Sequence, residues 1–140
     1  MINILIACGA GMSSSFLTQK LQIACKEKGW DDRYSFNFYP LEAARKDAPD
    51  ICAQYDVVMM CPHLRLFART LIKQGVTTPL YILPPQMYGT MILEEVVADA
   101  EDIIAGHKAD PSNNPFVFPG EPQNALQIRR KEAYRHVNKK

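Results

Sequence analysis

Cys8 opens the run Cys8-Gly9-Ala10-Gly11-Met12-Ser13-Ser14-Ser15. A thiol attacks as its thiolate, and thiolates form where positive charge is close. Gly9 and Gly11 let a backbone approach an anion and take dihedrals closed to other residues. Ser13, Ser14 and Ser15 add hydroxyl donors. These residue types suit one task. Cys8 forms an S-phosphate, and Gly9, Ala10, Gly11, Met12, Ser13, Ser14 and Ser15 hold its oxygens.

That task depends on the flanking elements. Ile2 to Ala7 is uncharged and apolar apart from Asn3, as in a strand buried on both faces. From Ser13 to Gly29 the period changes. Leu17, Leu21 and Ala24 fall on one stripe with Phe16 and Cys25 beside it, and Gln19, Gln22 and Lys26 lie opposite. A Ser N-cap starts this helix and Gly29 stops it. The strand therefore delivers Cys8 to a helix N-terminus, whose first N–H groups have no partner within the helix and bind anions. The helix dipole adds about half a positive charge there.

Other phosphate motifs do not fit. A dinucleotide fingerprint needs a third Gly where Ser14 stands, and an acidic residue ending the second strand. A Walker loop needs a Lys after its last Gly. An inert buried Cys needs neither the glycines nor the serines.

The chain has 140 residues, 47% of them apolar, which is enough for one domain with a real core. The first residues lack the basic region of a signal peptide, and no run approaches the roughly 18 apolar residues of a membrane span. Cys8, Cys25, Cys52 and Cys61 show no CxxC spacing, so neither a zinc site nor a disulfide framework is expected. These features predict a cytoplasmic protein with reduced thiols. The net charge of +1 hides an asymmetry. Six basic residues and one acidic residue, Glu132, lie from Asn124 to Lys140, and the rest of the chain is net acidic. Such a tail is either a solvated end or a contact for an acidic partner or anionic membrane. With Tyr134 as the one aromatic among its charges, nucleic acid is not the expected partner.

Further along, Tyr34, Phe36 and Phe38 alternate with polar residues, giving a half-buried edge strand ended by Pro40. A short helix is expected over about 41–47, stopped by Pro49. Asp56 to Cys61 reads as a central strand. Leu64, Phe67, Ala68, Leu71 and Ile72 mark a helix ended by Gly75, and Pro79 to Leu83 a fourth strand closed by Pro84-Pro85. A last helix is expected from about Met87 to Ala105, with Gly106 as its stop. The prolines and glycine of 107–124 make that segment a linker in which Phe116-Val117-Phe118 packs back on the domain, and 125–140 a basic tail able to form a short helix. This alternation predicts a three-layer α/β domain over 1–106, with a four-stranded parallel sheet in the order 2-1-3-4 and helices on both faces. That order opens a crevice between the Cys8 loop and the loop after Cys61. Pro62 and His63 are placed opposite Cys8. His63 either bonds a phosphate or helps a partner dock, or is simply a solvent-facing helix start. Cys61 is expected to be a core residue, and Cys25 and Cys52 to be structural or incidental.

The run from Ile4 to Leu17 resembles the signature of the lactose/cellobiose-type IIB component of the sugar phosphotransferase system: strand, Cys, a small residue, Ala-Gly-Met-Ser-x-Ser and an apolar helix. Asp56-Val57-Val58 before Cys61-Pro62-His63 resembles the family's third strand and following loop, and Tyr88-Gly89 its Tyr-Gly. The resemblance covers about residues 1–106 and implies a low-molecular-weight-phosphatase-like fold. It implies that Cys8 takes phosphate from the phosphohistidine of a IIA partner and passes it to a sugar, expected to be a disaccharide, bound by the membrane IIC component. Pro62, His63 and Tyr88 then become possible contacts for partner or phosphate. The donor is already activated, so no metal or cofactor is needed. The chain departs from the family at Cys61-Pro62-His63, where Gly-Pro-Gln is frequent, and in its extension beyond Gly106.

Three alternatives stand beside this reading. Low-molecular-weight tyrosine phosphatases use Cys-x5-Arg-Ser and a late Asp-Pro acid. Here the Arg position is Ser14, and Asp110-Pro111 is the matching dipeptide. The chain could instead be a non-enzymatic regulatory module reporting Cys8 phosphorylation through its tail. A thiol redox sensor would need Cys61 as the resolving partner.

Overall fold

A computed structural model describes residues 2–8, 12–40, 48–61, 65–90, 92–121, 128 and 132–137. Strands β1 (Ile2–Cys8), β2 (Tyr34–Pro40), β3 (Val57–Met60) and β4 (Leu80–Ile82) form one parallel sheet in the order β2-β1-β3-β4. This is the order expected from the sequence.

Alternation along each strand sorts side chains into two cores. Ile4 and Ile6 of β1 join Phe36, Met59 and Tyr81 on one face, beneath α1 (Met12–Glu27) and α5 (Leu93–Ala109). Leu5, Ala7, Val58 and Met60 point the other way, beneath α2 (Ala48–Cys52) and α3 (Arg65–Lys73). All four residues of β3 are buried, as its uniformly apolar sequence requires.

Two glycines close helices as expected. Gly29 has φ +71 and Gly75 φ +99, and the N–H groups of Trp30 and Val76 reach back to the carbonyls of Cys25 and Leu71. This left-handed cap satisfies carbonyls that the helix ends would orphan.

Three expectations need correction. The proposed helix over 41–47 lies outside the described residues, but Pro49 does not stop a helix. It sits at the start of α2, where its missing N–H costs nothing and its fixed φ suits the first turn. The long helix from Met87 is two helices, α4 (Pro85–Thr90) and α5, separated by extended backbone at Ile92 (φ −81, ψ 125). Gly106 does not end α5, which continues to Ala109. Gly106 is small because the Phe116 ring occupies the space above it.

The segment after α5 is packed against the domain. Phe116 and Phe118 are buried in the α1/α5 core and Ile128 in the α2/α3 core. Asn114 bonds both sides of β4's outer edge, accepting from Leu80 N–H (2.8 Å) and donating to Thr78 O (3.0 Å). Phe116 N–H adds a bond to Leu80 O (2.7 Å). An exposed strand edge invites pairing with other chains, and here the chain covers its own.

The strap ends at α6 (Tyr134–Val137) on an acidic stripe of α5. Glu95, Asp99 and Asp102 are spaced to share one helix face. Ala133 N–H donates to Glu95 and Tyr134 N–H to Asp99, each at 2.8 Å. Arg135 holds both oxygens of Asp102, and His136 Nδ1 lies 2.6 Å from Glu95 Oε1. The basic tail's described cation is thus paired with the chain's own α5.

Candidate functional site: the carboxyl edge of β1

All four strands run the same way, so one sheet edge collects their carboxyl ends. Cys8 is the last residue of β1 and stands opposite Pro40 of β2. On its other side, Ala7 pairs with Met60, and Cys61 N–H donates to Ala7 O at 3.1 Å. Leu83 N–H continues that rung to Met60 O (2.9 Å). The chain leaves β1 toward β2 but reaches β4 by way of β3, so connections diverge on either side of the β1/β3 junction. Open α/β sheets bind ligands at such a point.

Residues 9–11 alone separate Cys8 from α1, which opens at Met12. The helix begins one residue earlier than the sequence suggested, so Ser13, Ser14 and Ser15 lie inside its first turn. The backbone N–H groups of a first turn have no i−4 partner and carry the positive end of the dipole. Gly9, Ala10, Gly11, Pro62 and His63 lie outside the described residues, as do the side chains of Cys8 and of Met12 to Ser15.

Tyr88 is on α4, directly beyond the end of β4, and so belongs to the same sheet edge. It is half-buried against the α1/α5 core, with its N–H on Pro84 O (2.9 Å). Lys20 of α1 bonds Thr90 O (2.8 Å), and Lys28 pairs with Glu94 (2.6 Å), tying α1 to the start of α5. The Lys28 ammonium holds the Glu94 carboxyl below its usual range.

The other cysteines are of a different kind. Cys25, Cys52 and Cys61 are buried, and none of them is held in a disulfide. Burial, with help from Asp31 and Asp32, pushes the Cys25 thiol up, and burial alone pushes Cys52 up to about 11. Such thiols stay protonated and unreactive at neutral pH. Among the described residues no three His, Cys, Asp or Glu side chains cluster to hold a metal ion. None of the described helices is long and apolar enough to cross a membrane.

Asp110-Pro111 lies elsewhere. Asp110 follows the last turn of α5 and accepts from Ser112 N–H and Oγ. Asn114, close by, is anchored to Thr78 and Leu80 at the start of β4. Thr78 lies five residues before the rung of Cys61 and Leu83, about 16 Å along a strand. A general acid at Asp110 would face the wrong edge of the sheet.

Residues 3–99 match the family model of the PTS system, Lactose/Cellobiose specific IIB subunit. The chain belongs to this family. No curated protein matches the sequence. The matched span of this IIB chain includes all of the sheet but Ile2, the Cys8 run and the first turns of α5. Membership supports a role as a phosphoryl carrier in a sugar phosphotransferase system, in partnership with IIA and IIC components and a sugar.

The strap on the acidic stripe of this IIB domain lies beyond the match, and sequence reading did not find its docking site. The signal was present. Glu95, Asp99 and Asp102 share a face of α5, and Arg135 and His136 are their complement.

Proposed function

We propose that this IIB domain carries its phosphoryl group on Cys8. The observation that supports the reading is the backbone path: β1 ends at Cys8, and α1 begins at Met12 beside the β1/β3 junction.

In the first step the Cys8 thiolate attacks the phosphorus of a IIA phosphohistidine. The S–P bond forms, the N–P bond breaks, and the imidazole leaves with the electron pair. In the second step a hydroxyl of the sugar on IIC attacks the same phosphorus. The S–P bond breaks, the thiolate is regenerated, and the hydroxyl proton passes to solvent or to a partner base. Both steps gather negative charge on three equatorial oxygens. Backbone N–H groups from Gly9 to Ser15, at the N-terminus of α1, would stabilise that charge in each transition state. This is covalent catalysis by a thiolate, and no step calls for a metal. The domain works at the cytoplasmic face of the membrane, where IIC presents the sugar. Pro62, His63 and Tyr88 would line the approach of IIA or IIC.

The reading distinguishes a carrier from a hydrolase. Position 14 is Ser, so the bidentate clamp of a tyrosine phosphatase is missing. Asp110 lies at the opposite sheet edge. Without an acid, water is a poor acceptor, and phosphate waits for a docked partner.

The test is phosphorylation from phosphoenolpyruvate through the general phosphotransfer proteins and a matching IIA. Mass spectrometry should place one phosphate on Cys8 and none on Cys8→Ser. Phosphate found elsewhere, or unchanged in Cys8→Ser, refutes the carrier role. Sustained turnover of p-nitrophenyl phosphate would favour a hydrolase.

A further inference from the structure

The register of β1 on β3 pairs Ile6 with Met59 and Ala7 with Met60. One step further it sets Cys8 beside Cys61, and the bond from Cys61 N–H to Ala7 O (3.1 Å) carries the ladder to that point. Neighbouring strands lie about 4.8 Å apart, and cysteines bridge when their Cα atoms are about 4.4–6.8 Å apart. Alternation puts positions 8 and 61 on one face of the sheet, the face of Ile4, Ile6, Val57 and Met59. Two cysteines thus take adjacent, same-facing positions where β1 and β3 end.

The other two cysteines are out of reach. Cys25 Sγ donates to Tyr34 O (3.8 Å), and Tyr34 pairs with Ile2 at the other end of β1. That end is about 20 Å along the strand from Cys8. Cys52 is packed in the α2/α3 core, on the other face of the sheet. Cys61 is fully buried, so an oxidant in water does not reach it directly. The oxidant has only to reach Cys8, as a IIA phosphohistidine must under the carrier reading.

We propose that Cys8 and Cys61 form a reversible disulfide, with a peroxide as the oxidant, that takes the nucleophile out of use. The Cys8 thiolate attacks one oxygen of hydrogen peroxide. The S–O bond forms, the O–O bond breaks, and the hydroxide that leaves with the electron pair takes a proton from solvent. The Cys61 sulfur then attacks the sulfur of this sulfenic acid. The S–S bond forms, the S–O bond breaks, and the departing hydroxide leaves as water with the Cys61 proton. The two thiols give up two electrons, and the peroxide becomes two waters. A dithiol reverses the bond by two exchange steps and ends as its own disulfide. Without Cys61, Cys8 would go on to sulfinic acid, which thiols do not reduce. The buried neighbour thus protects Cys8 while silencing it. In reducing compartments disulfides are mostly transient ones of this sensing kind. The bond follows from the register. That it silences the domain rests on Cys8 being the phosphoryl carrier.

To test the bond, the full chain is reduced, freed of reductant, treated with hydrogen peroxide, alkylated and digested without reduction. Mass spectrometry should find one peptide pair joined through Cys8 and Cys61, lost after dithiothreitol. Cys25→Ala and Cys52→Ala should form the same pair. Cys61→Ala should lose it and show sulfenic acid at Cys8, trapped by dimedone, and then sulfinic acid. With Ellman's reagent the fast Cys8 equivalent should be followed by a slower one as Cys61 displaces the aryl thiolate, and Cys61→Ala should lack the slower one. A Cys8 thiol left intact, or joined to Cys25, to Cys52 or to a second chain, overturns the proposal. So does sulfinic acid at Cys8 in the parent beside an alkylated Cys61. None of these readouts needs a phosphotransfer partner, so the bond is judged apart from the carrier reading. In the phosphoenolpyruvate assay, the oxidised protein should take no phosphate until it is reduced. Uptake by the oxidised protein refutes the silencing, whereas no uptake by the reduced protein refutes the carrier reading and leaves the bond intact.

Discussion

A Cβ placed on Gly106 would lie 2.6 Å from two carbons of the Phe116 ring. This contact joins the last turns of α5 to the strap that follows it. Ala is the better helix former by about 1 kcal/mol, yet overpacking a buried contact costs typically about 1–3 kcal/mol. Phe116 is wedged against Phe118 and its own N–H is bonded to Leu80, so it has little room to yield. Gly106→Ala should therefore lower Tm by several degrees, at about 3–5 °C per kcal/mol for a domain of this size. Adding Phe116→Leu should recover much of the loss. Thermal melts of the two variants check it.

Truncation after Ala109 should do far more harm than removal of a solvated tail. It takes Phe116, Phe118, Ile128 and Ala133 out of buried positions and bares the outer edge of β4. The two Phe side chains alone contribute about 3–6 kcal/mol of burial, against a whole-domain stability of about 5–15 kcal/mol. Denaturant midpoints should fall steeply and size-exclusion profiles should show aggregates. A native-like midpoint in the truncated chain would contradict the structure.

The acidic stripe should divide by burial. Asp99 is fully buried and accepts from Tyr134 N–H, so Asp99→Leu strands a donor and should cost about 2–4 kcal/mol. Asp102 pairs with Arg135, but both side chains are substantially exposed, at 33% and 45%. Its replacement by Asn should cost about 0.5–1 kcal/mol and less in high salt. Equal losses at the two positions would refute this ranking. Amide exchange at residues 133–136 should rise in both variants.

Thiol chemistry should separate Cys8 from the rest. Cys52, at about 11, is thiolate to roughly one part in a thousand at pH 8. Native protein should show one fast thiol toward Ellman's reagent, lost in Cys8→Ser, and all four after unfolding. The raised Cys52 value also makes stability depend on pH. Between its ordinary value near 9 and about 11 the unfolded chain loses this proton and the folded one keeps it. Stability therefore falls as pH rises through that window. Cys52→Ala should shrink the alkaline loss, which urea midpoints at pH 8.5 and 10.5 would register.

Strand order, the positions of α1 and α3 and the Cys8 motif were readable in the chain, because each rests on local patterns. Uniformly apolar β3 must be buried on both faces, and a two-residue alternation in β2 marks an edge. Gly29 and Gly75 announce the ends of α1 and α3. Boundaries near proline were less legible. Pro49 and Pro85 both begin helices, and a proline that starts a helix has the same letter as one that stops it. Gly106 misled for a related reason: a glycine kept for a close approach reads like a glycine kept for a turn.

Local pattern alone placed Cys8, the thiol we propose as the phosphoryl carrier, between a buried strand and a helix N-terminus at the carboxyl edge of a parallel sheet. The tertiary structure alone decided the fate of the C-terminal segment. Its prolines read as a linker, and its cations read as a free or partner-seeking tail. The aromatic run Phe116-Val117-Phe118 is legible in the sequence as a segment that packs back on the domain, but the Asn114 bonds to β4 and the Arg135–Asp102 pair join residues more than thirty positions apart. Such contacts have no period to read. They exist only once α5 has turned its acidic stripe outward and β4 has been left at an edge in need of cover.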